Sequence, residues 1–148
     1  MEENLRFPLF VDLRGKKAVV VGGGKIALRR AKGLRDFGAD VTVIAPRLAQ
    51  PMEGITHLCR SYAPGDLTGA FLAVAATDDR AVNRAVGEEA RRQSIPVSVA
   101  DQAEECTFFF PALCTGNGMI AGVVSDGTDH HKTAAAAKAI RAVLEELE

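Results

Sequence analysis

Residues 18–27 read Ala-Val-Val-Val-Gly-Gly-Gly-Lys-Ile-Ala, and this stretch decides the fold. An apolar run ends in three glycines, and residues that favour a helix follow directly. The spacing Gly22-x-Gly24-x-x-Ala27 is typical of the turn between strand and helix in a dinucleotide-binding βαβ unit. There the first glycine permits the tight bend, the second lets backbone N–H groups approach a pyrophosphate, and the small third residue lets the helix pack on the strand. A glycine-rich turn that binds nothing can show the same pattern, so the rest of the chain has to supply the context.

The composition is that of one ordinary soluble domain. The chain has 148 residues, of which 47% are hydrophobic and 25% charged, with a formal net charge of −1. This balance favours neither nucleic acid nor a membrane as a partner, and no apolar stretch or signal-peptide pattern predicts a membrane span or export. Cys59, Cys106 and Cys114 lack metal-ligand spacing and are interpreted as reduced thiols. We therefore expect a cytoplasmic protein that binds a small molecule.

Strands and helices are predicted to alternate up to residue 101. The first predicted strand ends at Val21, and further strands are predicted at 40–45, 55–59 (a weaker one), 71–76 and 95–100. The predicted helices cover 26–37 and the stretch from Asp78-Asp79 to about Arg92. Strands that alternate with helices predict an α/β fold, a Rossmann-type parallel sheet with helices on both faces.

The pattern changes beyond residue 101. Residues 107–110 and 119–124 are predicted as strands, and Gly116-Asn117-Gly118 between them is a hairpin signal, so we expect an antiparallel pair. A final helix is predicted from about Thr133, with an apolar stripe of Ile140, Val143, Leu144 and Leu147. Acidic residues crowd its last turn and no glycine follows to cap it, so either more chain belongs there or the stripe docks on a partner subunit.

An ordered set of passages resembles the precorrin-2 dehydrogenase family, which is the N-terminal module of sirohaem synthases. The set spans roughly residues 7–141 and consists of Phe7-Pro8-Leu9-Phe10 with Leu13, residues 20–27 with Arg29-Arg30, Val43-Ile44-Ala45-Pro46, Ala75-Ala76-Thr77-Asp78-Asp79 with Val82-Asn83, Val97-Ser98-Val99-Ala100-Asp101, and Phe108-Phe109-Phe110-Pro111-Ala112.

This resemblance implies the oxidation of precorrin-2, a tetrapyrrole, to sirohydrochlorin with NAD+, on the route to sirohaem or cobalamin. Some members of the family also insert iron or cobalt. The resemblance implies an NAD-binding Rossmann domain over 1–112 and a short dimerisation and substrate-pocket extension over 113–148, built into a homodimer. The extension is shorter than in full-length members, which leaves metal insertion and a complete substrate pocket open.

The resemblance also implies which residues hold NAD. Generic dinucleotide-binding domains end the second strand in an acid that accepts a hydrogen bond from the ribose 2′-OH. Here Ala45-Pro46-Arg47 stands in that place, as Ala-Pro does in the family, and Arg47 could accept a 2′-phosphate; NAD rather than NADP is therefore inferred from the family. The predicted cofactor-binding residues are Gly22, Gly24, Lys25, Ile26, Ala27, Pro46, Arg47, Thr77 and Asp78.

The resemblance places the family's catalytic aspartate at Asp101. A tetrapyrrole that loses a hydride must also lose a proton, which a nearby carboxylate can take. The alternative is an aspartate that only caps a turn at the end of a strand. Ser98 occupies a position where the family usually has Asn. For Asp78 and Asp79, capping of the following helix is at least as plausible as contact with the cofactor.

Other polar residues have weaker assignments. His130 and His131 are adjacent, lack a further ligand at metal-binding spacing and are predicted to lie in a solvated loop, so no metal site is predicted. Ser125 lies where some family members carry a phosphorylated serine, but we expect a hydroxyl that caps the final helix. Three arginines are candidates for the carboxylates of the substrate: Arg29, Arg30 and Arg60. Asn83 is a modest candidate for the cofactor site.

Two other functions compete with a dehydrogenase. One is a non-catalytic NAD(H)-sensing regulatory module, such as the gating domain of a potassium transporter. Those domains usually carry an acid at the end of the second strand, and Ala45-Pro46 counts against that class. The other is a chelatase that has lost its redox role, and the intact glycine turn counts against it.

Overall fold

A computed structural model describes residues 5–147 and divides the chain into two compact units. The larger unit, Val11–Phe108, contains a parallel sheet and two helices. The smaller unit combines residues 5–10 with residues 109–147 and contains a hairpin and one helix.

The larger unit alternates strands and helices as predicted, with boundaries that shift by at most two residues. Its sheet has the order β3-β2-β1-β4-β5, and all pairs are parallel. The elements are β1 (Lys17–Val21), α1 (Lys25–Asp36), β2 (Asp40–Ile44), β3 (Thr56–Leu58), β4 (Leu72–Ala75), α2 (Arg80–Arg92) and β5 (Val97–Val99), followed by a 3-10 turn at Ala103–Glu105.

The core of this unit lies on both sides of the central strands. Val19, Val20 and Val21 of β1 are almost completely buried, as a strand covered on both faces must be. The crossovers through α1 and α2 run in opposite directions from the centre of the sheet. Because such crossovers are right-handed, the two helices lie on opposite faces. The predicted α/β sheet is confirmed.

The strand order creates a natural place for a ligand. From β1 the chain builds β2 and β3 on one side, and it then returns to build β4 and β5 on the other side. Open α/β sheets bind ligands at the carboxyl ends of the strands where the order reverses, which here lies between β1 and β4.

The smaller unit begins with an antiparallel hairpin of β6 (Ala112–Gly116) and β7 (Met119–Val123). The predicted strand at 107–110 is wrong: those residues form no strand, and β6 is the partner of β7. A two-residue turn at Asn117-Gly118, with φ of 48° and 77°, pairs the residues that flank it directly. Thr107 instead bonds to Val97, donating its N–H to the carbonyl and accepting from the N–H at its Oγ1.

The final helix, α3 (His130–Glu146), begins three residues earlier than predicted. The Asp129 side chain accepts from the Lys132 N–H and caps it. Within the predicted stripe Leu144 is buried, whereas Val143 and Leu147 are 57% and 43% exposed. The helix ends on a cap from another element: the Asn117 side-chain amide donates to the carbonyl oxygens of Leu144 at 2.7 Å and Leu147 at 2.8 Å.

Within residues 5–147, none of the helices is both long enough and apolar enough to cross a membrane.

Candidate functional site

A cleft of about 860 Å³ opens at the carboxyl ends of β1, β2 and β4, where the strand order reverses. Three short segments line most of it, 21–26, 44–49 and 76–79, together with Ser61, Tyr62 and Val82. The cofactor-binding residues predicted from sequence lie in these segments, except Ala27, which is buried directly beneath and packs α1 against the sheet.

Two of the three glycines are required by the protein itself. A β-carbon on Gly22, whose φ is +127°, would lie 2.3 Å from the Ala76 carbonyl oxygen. A β-carbon on Gly23 would lie 2.0 Å from the Arg47 carbonyl oxygen. Gly23 is a free position in the general motif, so its role was missed in the sequence.

Gly24 differs from its neighbours because it faces open space. A β-carbon there would meet no atom within 4 Å, and its φ of −81° suits any residue. Gly24 is also the N-cap residue of α1, so the helix has no side-chain cap, and its first turn carries no acidic residue. The first N–H groups of α1 are therefore available to an anion, and the helix dipole favours one. These features fit the pyrophosphate of a dinucleotide.

The loop after β2 rests on the glycine turn. The Ala49 N–H donates to the Gly23 carbonyl at 2.7 Å. The Ala45 carbonyl lies 2.8 Å from His57 Nε2, and the Cys59 thiol donates to the Pro46 carbonyl at 3.1 Å. Backbone contacts thus replace the acid that generic dinucleotide-binding domains carry at this point, and Arg47 is the charged side chain that this loop adds to the cleft.

Asp79, rather than Asp78, caps α2. Its side chain accepts from the N–H groups of Ala81 at 2.9 Å and Val82 at 3.4 Å. Asp78 is exposed and lines the cleft. The capping role considered for both aspartates therefore belongs to Asp79, and Asp78 remains a predicted contact of the cofactor.

Asn83 fixes the end of β4. It is completely buried on α2, accepts from the Thr77 N–H at 3.0 Å and from the Thr77 hydroxyl at 2.7 Å, and donates to the Thr77 carbonyl at 3.0 Å. The position of Thr77 in the cleft therefore depends on a residue that does not line it.

A buried carboxylate supports another wall of the cleft. Glu89 of α2 accepts from the Tyr62 hydroxyl at 2.5 Å and from the N–H groups of Gly65 at 2.8 Å and Leu67 at 2.9 Å. Burial raises the pKa of the Glu89 carboxyl, but these hydrogen bonds lower it further, so the net pKa lies below its usual range. Burial and Glu89 together raise the pKa of Tyr62. The sequence carries no signal for this contact, because its partners lie 22 to 27 residues apart.

Asp101 does not line the cleft. It lies in the turn after β5, one strand beyond β4 on the same edge of the sheet. Its Oδ1 accepts from Arg80 Nη1 at 2.8 Å. Arg80, the first residue of α2, is not among the site residues predicted from sequence.

The arginines predicted to meet substrate carboxylates have different environments. Arg29 is exposed. Arg30 is half-buried and donates to the Ser98 hydroxyl at 3.2 Å, and burial lowers its pKa. Arg60 forms an ion pair with Asp66 at 2.8 Å.

The predictions for Ser125 and the histidine pair need correction. Ser125 accepts from the Gly127 N–H in a local turn, and Asp129 is the residue that caps α3. His130 and His131 lie in the exposed first turn of α3 rather than in a loop, because the Asp129 cap starts the helix before them. Among residues 5–147, no group of three or more His, Cys, Asp or Glu side chains could hold a metal ion.

Comparison with known proteins identifies a matching family model and several similar proteins. A family model described as "Putative NAD(P)-binding" matches residues 9–112. The chain is 44% identical over 133 residues to the probable multifunctional siroheme biosynthesis protein HemA of Ruminiclostridium josui, which covers 85% of the chain and 26% of that protein. It is 41% identical over 147 residues to the siroheme synthase of Chromobacterium violaceum, covering 95% of the chain and 30% of that enzyme.

A solved structure matches as well. The structure titled "SirC, precorrin-2 dehydrogenase" superimposes with a TM-score of 0.78 at 26% identity, covering 93% of this chain and 70% of that one. The chain thus spans 26% to 30% of the length of these two relatives and most of the length of this structure.

Proposed function

The chain belongs to the NAD(P)-binding family whose model matches residues 9–112, and we propose that it oxidises precorrin-2 to sirohydrochlorin with NAD+. The observation that carries the proposal is the open cradle at Gly24, where uncapped N–H groups of α1 face the cleft. The siroheme synthases and the precorrin-2 dehydrogenase that the chain resembles support the choice of substrate.

The residues of the cleft would divide the cofactor between them. The backbone at Gly22 and Gly24 and the start of α1 would hold the pyrophosphate. Pro46 and Arg47 would hold the adenosine ribose, and Thr77 and Asp78 would contact the cofactor at the end of β4. When bound, NAD+ supplies the acceptor for a hydride.

Asp101 takes the remaining proton in this proposal. Precorrin-2 and NAD+ give sirohydrochlorin, NADH and one proton, so the tetrapyrrole loses a hydride and a proton in total. Loss of the hydride leaves positive charge on the tetrapyrrole, which a carboxylate stabilises before it accepts the proton. Asp101 is 39% exposed, so a substrate can reach it.

We propose a homodimer formed through the smaller unit. A two-stranded sheet with one helix buries little apolar surface by itself, and its buried core consists of Cys114, Ala137 and Leu144. Large apolar side chains remain exposed on the same unit, namely Leu5, Phe7, Leu9, Phe10, Met119, Ile120, Val143 and Leu147. Sedimentation at micromolar concentration should give the mass of a dimer, and a monomer would refute the proposed homodimer.

The three free cysteines support a reducing compartment, such as the cytoplasm.

The proposal is tested by anaerobic incubation with precorrin-2 and NAD+, in which sirohydrochlorin is followed by its absorbance. Wild type should form sirohydrochlorin, and Asp101→Asn should lower kcat by about 100-fold or more while NAD+ binding stays within about twofold. A wild type that binds NAD+ and yet forms no product would identify a nucleotide-sensing module instead. Equal turnover by Asp101→Asn would remove Asp101 from the mechanism.

A further inference from the structure

The Arg80 side chain joins three segments at the edge of the sheet. Its Nη1 donates to Asp101 Oδ1 at 2.8 Å, and its Nη2 lies 2.6 Å from both carboxylate oxygens of Glu105. Arg80 opens α2, Asp101 follows β5, and Glu105 ends the 3-10 turn. One guanidinium therefore connects the start of a helix to two carboxylates of the loop after β5.

Glu105 is itself held in place. The Arg91 guanidinium, about three helical turns further along α2, donates to the Glu105 carbonyl at 2.9 Å. The next residue, Cys106, accepts from the Val99 N–H at its Sγ at 3.1 Å, which ties the loop back to β5. Glu105 thus presents its carboxylate from an anchored backbone, and Arg80 is oriented by it.

This arrangement restricts Asp101. A single exposed ion pair contributes little to stability, but a planar guanidinium that donates hydrogen bonds from both Nη1 and Nη2 has a defined orientation. Arg80 engages Oδ1 of Asp101, whereas no donor from residues 5–147 forms a hydrogen bond with Oδ2. One carboxylate oxygen is therefore fixed, and the other is left to accept a proton.

We infer that Arg80, oriented by Glu105, is a positioning residue that holds the Asp101 carboxylate for proton transfer. The inference rests on the proposed dehydrogenase function. It differs from a role in binding, because a residue that only orients the proton acceptor affects kcat rather than the affinity for substrate or cofactor.

The test compares Arg80→Met, Arg80→Lys and Glu105→Gln in the full chain. Arg84→Met is the matched control: Arg84 lies one helical turn further along α2 and pairs with Glu88 rather than with Asp101. Thermal unfolding of each variant verifies the fold. We expect Arg80→Met to lower kcat by about 10- to 100-fold, with KM for precorrin-2 and Kd for NAD+ within about twofold. Arg80→Lys and Glu105→Gln should fall between Arg80→Met and wild type, and Arg84→Met should match wild type.

A double variant separates positioning from a structural effect. If Arg80 acts through Asp101, adding Arg80→Met to Asp101→Asn should cause no further loss in single-turnover rate. Additive losses would overturn the inference, as would an unchanged kcat, or a KM that rises alone because Arg80 binds a substrate carboxylate. A wild type without turnover would refute the proposed function itself, whereas a wild-type rate that Arg80→Met retains would refute only this inference.

Discussion

The carbonyl oxygen of Arg47 lies only 2.0 Å from the position that a β-carbon on Gly23 would occupy, which is too close for any side chain there. The loop after β2 therefore packs directly on the glycine turn, and the Ala49 N–H bond to the Gly23 carbonyl secures it. This contact couples the end of β2 to the place where a cofactor pyrophosphate would lie.

Alanine at Gly23 and at Gly24 should have opposite consequences. Gly23→Ala forces the loop away and should destabilise the protein by about 3 kcal/mol or more. Gly24→Ala adds a methyl group to open space and should leave stability within about 1 kcal/mol. The same methyl group should weaken NAD+ binding by about tenfold or more, which corresponds to about 1.4 kcal/mol.

Denaturant unfolding and NAD+ titration of the two variants measure these effects. A stable Gly23→Ala protein would contradict the packing of the loop. A Gly24→Ala protein with wild-type affinity for NAD+ would contradict the position of the pyrophosphate.

Glu89 should make stability depend on pH. Because its folded pKa is lowered, its carboxylate stabilises the fold above the unfolded pKa of about 4.3. This contribution is lost as the pH falls through the folded pKa. Glu89→Gln removes the charge that Tyr62, Gly65 and Leu67 hydrogen-bond, and it should cost about 2 to 3 kcal/mol at pH 7.

The pH series needs a neighbour as its control. Glu88→Gln alters an exposed pair with Arg84 and should cost less than about 0.5 kcal/mol. Unfolding free energies should show the gap between wild type and Glu89→Gln closing below about pH 4. A gap that stays constant from neutral to acid pH would contradict the role of the charge.

Asn117 should stabilise α3 from outside the helix. Asn117→Gly keeps the positive φ of the turn but removes the donors to the carbonyls of Leu144 and Leu147, so it should cost about 1 kcal/mol. Asn117→Asp should cost more, because it places a carboxylate against helix C-terminal carbonyls. Thermal unfolding that ranks Asn117→Asp at or above Asn117→Gly in stability would contradict the capping contact.

The parallel sheet could be predicted from sequence because its strands are apolar runs next to strong punctuation. Val19–Val21 end at glycines, and the strand that starts at Asp40 ends before Pro46. The hairpin was only half predicted, since the aromatic run 108–110 looks more like a strand than β6 does. The turn geometry at Asn117-Gly118, rather than hydrophobicity, selects the strand.

The candidate site also contains residues that could be predicted from sequence and residues that could not. Gly22, Gly24 and Thr77 could be placed because each lies within three residues of the end of a strand. Tertiary contacts such as those of Glu89 to Tyr62 and Arg80 to Asp101 join residues 21 to 27 positions apart, and no local pattern signals them. Gly23 was missed because its partner lies on another loop.

The central claim is most directly tested by the stoichiometry of products under anaerobic conditions. Wild-type protein with precorrin-2 and NAD+ should form NADH and sirohydrochlorin in equal molar amounts, with no enzymatic product when NAD+ is left out. Binding of NAD+ without either product, or sirohydrochlorin formed at the same rate in the absence of NAD+, would contradict the account.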